Sequence, residues 1–135
     1  MLPFYLFIWK LEFWLLFGWI PNAEMTRVRP ESLGKVYDHT IQKERFAYGQ
    51  CHPFSNLIRL NQKYIEQATY YQLRSLIWHE WGHCELNLDD EEGWGYTLMN
   101  RSEDVIRPDG GNVEELKSEL YWRWVKSGRG ELNAD

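Results

Sequence analysis

The chain has 135 residues and a formal net charge of −5, with 20 acidic against 15 basic side chains. That length makes one domain with a modest core, and the acidic balance argues against nucleic acid as a partner, because such partners are held by Lys and Arg. The two cysteines, Cys51 and Cys84, form no Cys-x-x-Cys pair, which excludes a cysteine zinc knuckle.

Met1–Ile20 is apolar at about 16 of its 20 positions and carries 8 of the 22 aromatic residues. Its length is near that of a bilayer span. Lys10 and Glu12 interrupt it at the centre, which is costly in lipid, and no basic residue precedes it as in a secretory signal. The expectation is a membrane anchor or signal first and an amphipathic or core-packing helix second, with an unphysiological extension third. A span would leave Arg27, Arg29 and Lys35 on the cytoplasmic side. Membrane association through residues 1–20, or export, is the localisation this favours, with a cytoplasmic protein as the alternative.

Pro21–Pro30 reads as a linker. Pro30-Glu31 then opens a helix with Leu33, Val36, Tyr37, Thr40 and Ile41 at helical spacing, weakened by Gly34. His39 falls on its surface. Arg45–Cys51 alternates like a strand, with Gly49 as a bulge, and His52-Pro53 ends it. Leu57–Leu60 is a second strand, with Leu57 and Arg59 on one face and Ile58 and Leu60 on the other. Such a strand is either plain core sheet or an edge that takes an extended peptide by strand addition.

Tyr64–Ala68 bridges to a helix that starts at Thr69, an N-cap with Gln72 as its capping-box partner. The helix runs through Leu73, Leu76 and Ile77 and ends near Leu86-Asn87, since Asn tolerates the left-handed conformation. Asp89-Asp90-Glu91-Glu92 and a Gly- and Pro-containing loop follow, with turn chemistry at Pro108–Gly111. Asn112 and Glu115 form a second N-cap pair. The C-terminal helix carries Val113, Leu116, Leu120 and Trp124 on one face, and Gly128 stops it.

The third helix contains His79-Glu80-Trp81-Gly82-His83, a His-Glu-x-x-His motif. Residues i and i+4 stand one above the other on a helix, so His79 and His83 can turn two imidazoles to one metal ion. Zinc suits two nitrogens, a third ligand and a water, and lowers that water's pKa to about 7. Glu80 would be the general base and acid for that water. One zinc per chain is expected, with a carboxylate from the acidic run as third ligand. The rival readings are a coincidental polar helix face and a solvated acidic loop.

At these residues the chain resembles the zincin metallopeptidases, and more narrowly the small bacterial and phage type with His-Glu-x-Gly-His-Cys. The matching residues are His79, Glu80, Gly82, His83, Cys84, Leu86 and Asn87, the Leu98-Met99-Asn100 run and Gly49-Gln50-Cys51. The resemblance spans roughly residues 45–125. It implies Met99 as a methionine beneath the metal, with an ordinary core Met as the alternative. It puts Asp89 in the third-ligand place. Leu86 stands where a turn glycine belongs, so a turn at Asn87 moves that place to Asp90. Asp90 is the first candidate and Asp89 the second, with Glu92 and His52 as outsiders. Cys84 beside His83 either pairs with Cys51, as in exported proteins, or both cysteines are small buried hydrophobes.

The expected fold is α+β and zincin-like: a small, mostly antiparallel sheet on a metal-binding helix, a C-terminal helix alongside, and the N-terminal segment apart from the domain of residues 21–135. The expected activity is zinc-dependent hydrolysis of peptide bonds in a peptide or protein substrate. The alternatives are an inactive metal-binding interaction domain and a membrane-associated accessory protein.

Overall fold

The computed structural model describes residues 2–38, 41–52, 54–88 and 113–127, with the side chains of 113–116 left aside. The chain is a mixed α+β fold organised around one core. Among the described residues four α-helices (α1 Leu2–Phe17, α2 Gln62–Gln67, α3 Tyr70–Cys84, α4 Val113–Lys126) accompany five strands (β1 Glu24–Val28, β2 Lys35–Asp38, β3 Lys43–Phe46, β4 Gly49–His52, β5 Leu57–Asn61).

The central sheet has the order β1-β5-β4. β1 runs parallel to β5, with Met25 opposite Ile58, and β4 runs antiparallel to it, with Cys51 opposite Ile58. Alternation along β5 turns Ile58 and Leu60 inward, where both are fully buried. β5 is thus the centre of the sheet rather than an edge, and among the described residues the edges are β1 and β4. Strand β1 lies in the stretch read as a linker. Glu-Met-Thr-Arg-Val has little hydrophobic alternation of its own, and it becomes a strand because β5 offers it a parallel partner.

The helix read from Pro30 onward is also corrected. Only a single 3₁₀ turn forms at Pro30–Ser32. Lys35–Asp38 then pairs with Lys43–Phe46 as an antiparallel hairpin, Val36 opposite Arg45. Gln42 takes a left-handed φ of 55° at its turn, and Asp38 accepts from Arg45 at 2.8 Å across the strands. The run Arg45–Cys51, read as one strand, splits at Ala47-Tyr48 into β3 and β4.

Helix α3 is the middle of the molecule. Thr69 and Gln72 form the reciprocal capping box, with Oγ1 accepting from the Gln72 amide at 3.1 Å and Gln72 Oε1 accepting from the Thr69 amide at 3.0 Å. Every residue from Ser75 to Gly82 is buried. One side of α3 meets β4 and β5, and the other meets α1.

Met1–Ile20 was expected first as a membrane or signal segment. Leu2–Phe17 forms instead a helix whose Leu2, Trp9, Phe13 and Phe17 enter the common core. Phe13 packs between Trp78 and Trp81 of α3, with ring centroids at 5.6 and 5.5 Å. No helix of the described residues is long and apolar enough to cross a membrane. Glu12, the charge that counted against a span, is an internal tie. It accepts from Arg74 of α3 at 2.6 Å and from Lys117 of α4 at 3.0 Å. Leu120 of α4 is fully buried in the same core.

Candidate functional site

The motif residues occupy the last turns of α3, and their burial differs from that of an exposed polar face. His79 is 5% exposed and Glu80 only 1%, with His83 half-buried. Burying a carboxylate is costly unless it is partnered. A buried carboxylate next to a buried histidine, on the helix that carries both motif histidines, is a candidate for function.

Helical spacing brings the two imidazoles together. Their Nε2 atoms lie 3.2 Å apart and the rings stand edge to face. What orients His83 is the helix end. The Glu85 and Leu86 amides both donate to the Trp81 carbonyl, and Asn87 takes a φ of 55°. The chain then doubles back, so the Leu88 amide donates to Gly82 O at 2.9 Å and the Leu88 carbonyl meets His83 Nδ1 at 2.7 Å. A carbonyl only accepts, so His83 Nδ1 carries a proton. In the neutral ring this leaves Nε2 as the acceptor facing His79. The turn at Asn87 was readable in the sequence. The Leu88 carbonyl was not, because nothing in a local pattern marks a backbone atom as a partner.

Glu80 points to the sheet. A Cβ added at Gly49 would stand 3.1 Å from Glu80 Oε2 and 3.2 Å from Leu76 Cδ1. Gly49 is therefore a clearance that admits the carboxylate against the backbone of β4, not a bulge. Two residues on, Cys51 forms a disulfide with Cys84, with 5.8 Å between Cα atoms. The bond clamps β4 to the end of α3 beside His83. Tyr48, just before Gly49, lines an open cleft of about 460 Å³ together with Arg45, Asn61 and Tyr64. There Tyr48 stacks on Tyr64 at 3.7 Å, and the Arg45 guanidinium lies 3.5 Å over Tyr48.

The expectation of one zinc per chain is overturned here. Among the described residues no group of three or more His, Cys, Asp or Glu could hold a metal ion. The motif supplies two nitrogens, one donor short of the three a catalytic zinc takes from protein. Cys84 is consumed in the disulfide, and Glu80 is turned to Gly49. His52 sits on β4 with its buried Nε2 making no hydrogen bond among the described residues. Asp89, Asp90, Glu92 and Met99 lie outside the described residues, as does the Asn112 cap.

No family model, curated protein or solved structure matches the chain. The functional reading rests on the side chains of α3 and β4.

Proposed function

We propose that the chain hydrolyses peptide bonds, with Glu80 as general base and acid. The observation that supports this most is the Glu80 carboxylate, buried on α3 and pressed against the backbone of an edge strand at Gly49. An extended peptide adding to that edge would bring its backbone carbonyls alongside α3. Glu80 takes a proton from water as the water oxygen attacks the carbonyl carbon. As the C–N bond breaks, the proton passes to the leaving nitrogen. With His83 Nε2 the acceptor, the Nε2 proton of the pair is on His79, and rotation of that ring would offer it to the developing oxyanion.

The test is hydrolysis of a mixed fluorogenic peptide library by the full, disulfide-bonded chain beside Glu80→Gln. The expected result is turnover by the wild type and a loss of at least about 100-fold in the variant, with the fold retained. Equal rates in the two proteins, or no turnover in either, would sink the reading.

A second reading, a domain that binds a partner without catalysing, is supported by a separate observation: the apolar outer face of α1. It predicts that Glu80→Gln changes nothing in the protein's role.

A further inference from the structure

Helix α1 is apolar except at Lys10 and Glu12, yet only one side is used by the core. Its outward positions are Pro3, Phe4, Phe7, Ile8, Leu11, Trp14, Leu15 and Gly18. They fall three and four residues apart, so they form one stripe along a helix about 24 Å long. The six large side chains among them are 38 to 77% exposed. No charged residue lies in the stripe. Lys10 and Glu12 flank it, and Glu12 is already held by Arg74 and Lys117.

We propose that this stripe is the interface of a homodimer, in which α1 of one copy packs against α1 of a second. The argument is one of area and charge. The six side chains expose roughly 600 Å², the upper end of what a monomer shows in one patch. Two such faces bury about 1,200 Å², where stable interfaces begin. Phe4, Ile8, Leu11 and Leu15 are spaced four, three and four apart, the pattern by which helices interlock side by side. A two-fold interface needs a surface that complements itself, and a stripe without charge meets its own copy with no like-charge cost. A lipid surface fits less well. The net charge of −5 is repelled by anionic headgroups, and the stripe offers only Lys10 at its border to attract them. The interface does not depend on the hydrolytic reading, because α1 meets α3 on the side away from the sheet.

The test is the mass of the full chain by sedimentation velocity and light scattering over about 1 to 100 µM, beside the double variant Leu11→Glu, Leu15→Glu. Circular dichroism and an intact Cys51–Cys84 bond check that the variant folds. If the glutamates disturb folding, Phe7→Ser with Leu15→Ser replaces them. The expected result is a wild-type dimer whose share grows with concentration, and association at least about 100-fold weaker in the variant. A wild type that stays monomeric through that range overturns the proposal, and so does a dimer the variant leaves intact. A monomer that co-sediments with phosphatidylcholine vesicles overturns it as well and gives the stripe to a lipid surface.

Discussion

Helices α1 and α3 have nearly the same length, and each brings two tryptophans, yet their chemistry and their burial run in opposite directions. The more apolar helix, α1, leaves six large side chains outside. The more polar one, α3, buries a histidine and a glutamate. Burial thus follows position in the fold and not the helix's own composition: α3 has partners on both sides and α1 on one. The exceptions in each helix are the informative residues. A carboxylate kept inside beside two histidines points to chemistry, and aromatics kept outside point to a partner.

The sharpest way to break this comparison is to make the same change on both faces of α1. Phe13→Ala removes a ring wedged between Trp78 and Trp81 and should cost about 3–5 kcal/mol in urea unfolding. Phe7→Ala, on the outward stripe, should stay within about 0.5 kcal/mol at concentrations where the chain is monomeric. Equal costs would mean that the two faces are not distinct. Next in size is the clamp on α3. Cys51→Ser with Cys84→Ser opens a closure spanning 33 residues and should remove about 3–4 kcal/mol on chain-entropy grounds.

Gly49→Ala probes the contact between β4 and Glu80. The added methyl would meet Glu80 and Leu76 at close range, so a loss of about 1–3 kcal/mol is expected, together with reduced hydrolysis. A variant of normal stability and rate would show that the clearance is not needed. A smaller loss should come from Thr69→Ala, which removes one half of the capping box and should cost about 1 kcal/mol without touching the site.

What could be read from the chain alone was what is decided locally. Thr69 and Gln72 are three residues apart, and their reciprocal bonds formed as expected. Asn87 took the left-handed turn, and Leu57–Leu60 faced the way its alternation implied. What could not be read depends on partners distant in sequence. Val36 and Tyr37 carry helical spacing, but Arg45 and Glu44 opposite them make the segment a strand. Glu24–Val28 has no pattern until β5 is beside it. Residues 2–17 are as apolar as a membrane span. The place of this helix in the core shows only in contacts with distant partners: Phe13 on Trp78 and Trp81, and Glu12 with Arg74 and Lys117, 62 and 105 residues away. The pairing of His79 and His83 in the candidate site was legible because i to i+4 is a local rule. The zinc expectation failed because the same local rule supplies only two nitrogens, no third donor joins them among the described residues, and Cys84 is committed to Cys51.

The Cys51–Cys84 bond also divides the molecule mechanically. Strand β5 and helices α2 and α3 lie inside the loop it closes, whereas α1, β1 and α4 lie outside. A pull on the two ends of the chain can peel away the outer elements. It cannot lengthen the enclosed 33-residue span, which withholds roughly 110 Å of contour from the stretched chain. Glu80 and both histidines travel inside that sealed portion, so the candidate site would be the last part of the protein to be drawn out.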